Sequence, residues 1–163
     1  MKLVLAALLA STAPAFALSQ GVVYVEAVRC VGGPFGMRLP ADATQLPLMA
    51  PLIRETVAEV EHWEGYTATR KTLYFDGLEL GVIDISNDPA RLMVTHAYVT
   101  SPKWNRLLPF KIDDPVFSAR AVLGGAAKDD AKLIRTYAGD GDSLKFVSSG
   151  GRVVGVSYSC YSG

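Results

Sequence analysis

Residues 67–86, TATRKTLYFDGLELGVIDIS, decide the fold. Asp76-Gly77 sits between two runs rich in β-branched and aromatic residues, and a two-residue Asp-Gly loop closes a tight hairpin whose twist suits both flanking strands. The turn sets the register: Phe75 lies opposite Leu78, Leu73 opposite Leu80, and Lys71 opposite Val82. Side chains alternate along a strand, so Leu73, Phe75, Leu78, Leu80 and Val82 share one face. That face belongs to the core.

Downstream, Asn87-Asp88-Pro89 reads as the next turn and residues 91–100 (RLMVTHAYVT) as a third strand, which completes a meander. Residues 101–110 (SPKWNRLLPF) form a loop or edge segment carrying Trp104. Asp114-Pro115 announces a short helix, with aspartate capping the free N–H groups and proline in the first helical position, where its missing N–H costs nothing. Gly124-Gly125 ends it. Strands follow at 132–137, 143–149 and 152–161, joined by Gly139-Asp140-Gly141-Asp142 and Gly150-Gly151.

Upstream, residues 21–30 (GVVYVEAVRC) read as a strand. Residues 31–51 hold Gly32, Gly33, Pro34, Gly36, Pro40, Pro47 and Pro51, a density that fits an extended loop. A helix is expected over 51–63, because Met49, Ile53, Val57 and Val60 recur at i, i+4, i+8 and i+11, Pro51 suits a first turn, and Gly65 follows as a stop. The fold class expected is therefore α+β: an antiparallel sheet of about six to seven strands packed by two helices. Helix-then-meander occurs twice in this order, as in a doubled unit.

Met1-Lys2, the apolar run from Leu3 to Ala10 and the small-x-small Ala15-Phe16-Ala17 have the form of a signal peptide cleaved before Leu18. Residues 18–163 then make a single periplasmic or secreted domain. The apolar run is shorter than the roughly 20 residues a spanning helix needs. Removing residues 1–17 takes one lysine from the 16 basic and 16 acidic residues and leaves a net charge of −1. Nucleic acid is thus not an expected partner, since such binders carry a basic excess.

Two cysteines in an exported chain are most simply one bridge, Cys30 to Cys160. Closing so long a loop stabilises by about 5 kcal/mol in the chain-entropy account. A disulfide needs Cα atoms within about 7 Å, so the two terminal strands are expected to be neighbours.

Residues 112–161, through IDDPVFSARAVLGG and RTYAGDGDSLKFVSSGGRVVGVSYSCY, resemble the helix, Leu-Gly stop and antiparallel strands of the SmpA/OmlA and β-lactamase-inhibitor-protein-like superfamily of envelope proteins. The resemblance covers under a third of the chain. It implies a periplasmic binding or inhibitor protein rather than an enzyme. This chain has Asp113 where that family often has glycine before the helix, and it has no lipoprotein cysteine after the cleavage site. The whole chain also resembles small exported proteins that act as inhibitors or immunity partners.

Chemistry-bearing constellations are sparse. With only His62 and His96, no His-Glu-x-x-His site can exist, and no metal or cofactor is expected. Glu59 and His62 have i, i+3 spacing but no second such pair, so a solvated charged face is the simpler reading. Gly139-Asp140-Gly141-Asp142 resembles part of a calcium loop, yet Gly151 stands where an EF-hand needs glutamate. Nucleophile elbow, P-loop and dinucleotide fingerprints are all missing from the sequence. A carboxylate pair leaves no signature, so a small hydrolase using Glu59, Glu61, Asp84 or Asp88 is the rival, with a non-catalytic envelope-assembly scaffold as a third reading.

What remains is surface for binding. The loop 31–38 (VGGPFGMR) starts at Cys30 and carries Phe35, Met37 and Arg38, and the segment around Lys103, Trp104 and Arg106 has the same cationic and aromatic character. Such residues are enriched at interface hot spots, and a loop pinned at its base loses less entropy on docking. The expected function is a periplasmic inhibitor or immunity protein against an envelope-targeting enzyme such as a peptidoglycan hydrolase. The bridge is directly measurable: the intact mass of exported protein should correspond to a chain starting at Leu18 and lacking two hydrogens relative to the dithiol. Free thiols in periplasmic material would overturn the expectation.

Overall fold

Backbone pairing carries the register of the Asp76-Gly77 hairpin across most of the molecule. The computed structural model describes residues 21–25, 28–129 and 141–160. Its strands are β1 Gly21–Val25, β2 Arg54–Trp63, β3 Tyr66–Phe75, β4 Leu78–Ile85, β5 Val94–Val99, the three-residue β6 Ala127–Asp129, β7 Ser143–Ser149 and β8 Arg152–Ser159. They form one sheet in the order β2-β3-β4-β5-β8-β7-β1-β6. Every neighbouring pair is antiparallel. The expected strand at 132–137 and residues 1–17 lie outside the described residues.

Two rows of apolar side chains cross six strands on one face. Leu73, Leu80, Ala97, Tyr158, Leu144 and Val25 stand opposite one another in sequence, and Phe75, Leu78, Val99, Val156, Phe146 and Val23 form the second row. All twelve are buried. Each large one contributes about 1.5–3 kcal/mol by leaving water, so these rows are the main stabilising feature. The register expected at Phe75–Leu78, Leu73–Leu80 and Lys71–Val82 is the register observed.

Cover for that face comes mostly from the two long connecting segments, which are loops with one six-residue 3-10 helix each, Ala43–Leu48 and Pro102–Leu107. The segment between β1 and β2 inserts Val28, Cys30, Met37 and Leu46, and the segment after β5 inserts Trp104, Leu107, Leu108, Phe110 and Ile112. The one α-helix among the described residues, α1 Val116–Leu123, adds Ala119 and Leu123. Phe110 meets Phe146 edge-on at 5.2 Å between centroids, and Trp104 meets Phe75 in the same manner at 5.5 Å. Within the second covering segment, Asn105 accepts from the Ile112 N–H at 2.7 Å and donates back to its carbonyl at 3.3 Å. Irregular backbone over a core needs such partners.

The helix expected over 51–63 is a strand. Residues 54–63 (RETVAEVEHW) pair with β3 along their length, and the Glu64-Gly65 turn, with Gly65 at φ 84°, closes the hairpin. The apolar spacing that mimics a helix does not mark a buried face: Met49 is half-buried against the core, but Ile53, Val57 and Val60 are all exposed. Cross-strand pairs hold the ribbon instead, with Arg70 against Glu59 and Glu61, Lys71 against Glu55, and the Arg54 guanidinium over the Tyr74 ring. Pairs of this kind are the unit of sheet stabilisation. The molecule is thus mostly antiparallel sheet, and the doubled helix-plus-meander unit falls with the lost helix.

Two further expectations change. Asp114 does not cap α1: Pro115 takes the N-cap position with no side-chain bond, and the Asp114 carboxylate accepts from the Lys111 N–H. The terminal strands are not direct neighbours, because β7 pairs with both. The disulfide joins Cys30 and Cys160 all the same, at a Cα separation of 5.7 Å. Cys30 lies beyond the end of β1.

Asp113 has φ 75°, the left-handed region, with its N–H bonded to the Val153 carbonyl and its own carbonyl accepting from Arg152. An L side chain there costs about 1–2 kcal/mol that glycine avoids. Its ion pair with Arg152 is solvent-exposed and contributes little. Asp113→Gly should therefore leave stability unchanged or raise it by up to about 1 kcal/mol. Urea unfolding measures this, and a clear loss would show that the carboxylate has a structural role.

Candidate functional site

The loop after β1 is fixed from several directions. Cys30 anchors its base through the disulfide, and its N–H donates to an Asp142 carboxylate oxygen at 2.6 Å. The loop then closes on itself: the Gly32 N–H donates to the Met37 carbonyl and the Met37 N–H to the Cys30 carbonyl. Gly36 fills the tightest point, where a Cβ would stand 2.1 Å from the Gly32 carbonyl oxygen. From β8, the Tyr158 hydroxyl donates to the Phe35 carbonyl at 2.8 Å.

This packing sorts the residues expected to bind. Met37 is fully buried and Trp104 is 4% exposed, so both are core and neither can anchor a partner. Trp104 also uses its indole N–H on the Asp76 carbonyl. Phe35 is half-buried against the same core. Arg38, Lys103 and Arg106 are exposed. Lys103 is held by the Asp76 carboxylate. The structure brings the two loops together directly, with the Arg38 N–H donating to the Leu107 carbonyl at 2.9 Å.

Two adjoining grooves lie at that junction. One, of about 560 Å³, has Arg38 and Arg106 on its walls with Gln45, Leu48 and Met49. The other, of about 320 Å³, runs between Ala50, Pro51, Ile53, Lys103 and Trp104, and shares Met49 and Arg106 with the first. Leu48 is 73% exposed and Ile53 69%, which is unusual for residues of this size at the mouth of a groove. Sequence reasoning missed both. The available signal was Pro47 and Pro51, which break the chain into short pieces that cannot turn every apolar side chain inward.

The carboxylates of the rival reading are engaged elsewhere. Arg70 lies 3.4 Å from Glu59 and 3.7 Å from Glu61, and Asp84 pairs with Lys71. Asp88 is exposed in a turn. His96 meets Glu79 at 3.3 Å, and His62 meets the Thr67 hydroxyl at 3.3 Å. Asp142, from the glycine-aspartate turn, orients Cys30. Among the described residues, no three His, Cys, Asp or Glu side chains converge as metal ligands. No helix among them is long and apolar enough to cross a membrane.

Compared with protein-family models, with curated proteins and with solved structures, the chain matches none.

Two groups couple the fold to alkaline pH. Burial raises the Tyr158 phenol well above its ordinary pKa. Partial burial pulls the Lys71 ammonium down, but the hydrogen bond and charge of Asp84, with Glu55 beside it, outweigh this and hold it above the usual lysine range. Both folded pKa values are raised, so the stability involved is complete below the unfolded values of about 10 and is lost as pH climbs through the folded ones. Tyr158→Phe should cost about 1 kcal/mol near neutrality by leaving the Phe35 carbonyl without its donor. The gap to the unmodified protein should narrow above about pH 10, as seen by chemical denaturation. A constant gap would mean that the phenol ionises freely in the fold.

Proposed function

We propose that the protein acts in the periplasm by binding another protein, as an inhibitor or immunity partner of an envelope-targeting enzyme such as a peptidoglycan hydrolase. The observation that carries this reading is the junction of the two covering loops: a cationic face with exposed Leu48 and Ile53, built on backbone tied down by a disulfide and by Tyr158. Interfaces of standard size reach nanomolar affinity when their surfaces are ordered before contact. The exported character of residues 1–17 and the near-neutral net charge fit an extracytoplasmic protein partner. The hydrolase reading has less behind it, since Glu59, Glu61 and Asp84 are each engaged by a neighbouring cation.

The test is titration of the purified mature protein against envelope hydrolases encoded in the same genome, beginning with the product of the adjacent gene. The expected result is roughly nanomolar binding with loss of hydrolase activity on cell-wall sacculi. A variant with Cys30→Ser and Cys160→Ser, if still folded, should bind more weakly because its loop must be ordered on docking. Retention of no hydrolase, with cells lacking the gene unharmed by the adjacent gene's product, would remove the proposal.

A further inference from the structure

Several cations among the described residues are matched. Arg70, Lys71, Lys103 and Arg152 face carboxylates, and Arg54 covers a tyrosine ring. Arg38 and Arg106 have no ion pair or ring partner among the described residues, and, unlike Arg29, Arg91 and Lys111, which also have none, they line one groove together. No carboxylate lines that groove. The adjoining groove has one, Asp76, already neutralised by Lys103. The result is a positively charged channel opening into an apolar one, with Met49 and Arg106 as their common wall.

We infer that the two grooves form one site for a peptide segment of a partner protein in which an acidic residue neighbours a bulky apolar one. The carboxylate seats against Arg38 and Arg106, and the apolar side chain enters the groove between Ile53 and Trp104. Guanidinium suits this role because its planar fork offers parallel donors to a carboxylate. Ile53 and Leu48 supply apolar area that is in water in the free protein, so covering them adds to affinity. A second copy of this chain is the wrong occupant: a two-fold interface sets the same patch against itself and brings arginine against arginine. A nucleic-acid strand lacks the apolar side chain that the second groove would hold. The inference rests on the protein-binding reading and specifies the chemistry of the partner.

The probe is a phage-displayed library of random dodecapeptides selected on the folded mature protein, with the winning sequence resynthesised carrying fluorescein. Enriched peptides should carry Asp or Glu within a residue or two of Leu, Ile, Phe or Met. Fluorescence polarisation should show Arg38→Gln and Arg106→Gln each weakening the peptide by roughly tenfold, the loss of one charge-assisted contact. Ile53→Ser should weaken it independently. Replacing the peptide's acid by its amide should weaken binding to the unmodified protein but not to the double Arg38→Gln, Arg106→Gln variant. All three positions are exposed, so melting temperatures should stay near that of the unmodified protein.

Failure to enrich any peptide, enrichment without an acidic residue, or equal binding by the double variant would overturn the site. The two readings separate cleanly. If a hydrolase binds the double variant as tightly as the unmodified protein, protein binding stands and this groove falls. If no hydrolase binds but the acidic peptide does, the groove stands and the inhibitor reading falls.

Discussion

A broad sheet with one apolar face and, among the described residues, only one eight-residue α-helix to cover it is the constraint on which the rest of this molecule depends. The two rows running from Val25 to Leu73 and from Val23 to Phe75 must be kept from water, and helices cannot do it. The two long connecting segments do so instead. Loops over a core carry backbone N–H and C=O groups that water no longer reaches, so each needs an internal partner. The Tyr158 hydroxyl, the Asn105 amide and the Asp142 carboxylate meet that need, while the Cys30–Cys160 bond ties the loop down covalently. Segments that would usually be the softest parts of a domain are here part of its core.

That packing explains why Arg38 and Arg106 are well-placed surface groups rather than waving side chains on slack loops. Their neighbours in sequence, Met37 and Leu107, are buried, and the backbone between the two segments is hydrogen-bonded. Each arginine therefore projects from a chain whose direction is set by the burial of the adjacent residue. Cations carried on a fixed backbone lose less entropy on meeting a carboxylate than those on a mobile loop.

How much could be read without coordinates follows from how local each signal is. Asp76-Gly77 specifies both turn type and register, so β3, β4 and the face they bury were legible to the residue. β2 was not, because its apolar spacing matches a helix and it has no buried face to impose alternation; only Glu64-Gly65 marked the hairpin. The short helix was legible from Pro115 and Gly124, although its expected cap was not. At the candidate site, Phe35, Met37 and Trp104 belong to types that fill cores and anchor interfaces alike, and composition cannot separate the two. Arginine is rarely buried alone, so a surface position for Arg38 and Arg106 is legible, and both are exposed. Leu48 and Ile53 were missed because an exposed apolar side chain has no sequence pattern of its own.

The strand order has a temporal side. β1 is the first strand to leave the ribosome or cross a membrane, yet both of its partners, β7 and β6, come from the far end of the chain. The meander from β2 to β5 can zip up as it emerges, each strand finding its neighbour already present. Val23 and Val25 have no ladder to join until β6 and then β7 have arrived, more than a hundred residues later. Long-range pairing of this kind is slow, because the loop must be closed before contacts compensate for it. The sheet is therefore completed from both ends of the chain at once, and a protein truncated before β6 would keep its central hairpins while its first strand remained a sticky, unpaired tail.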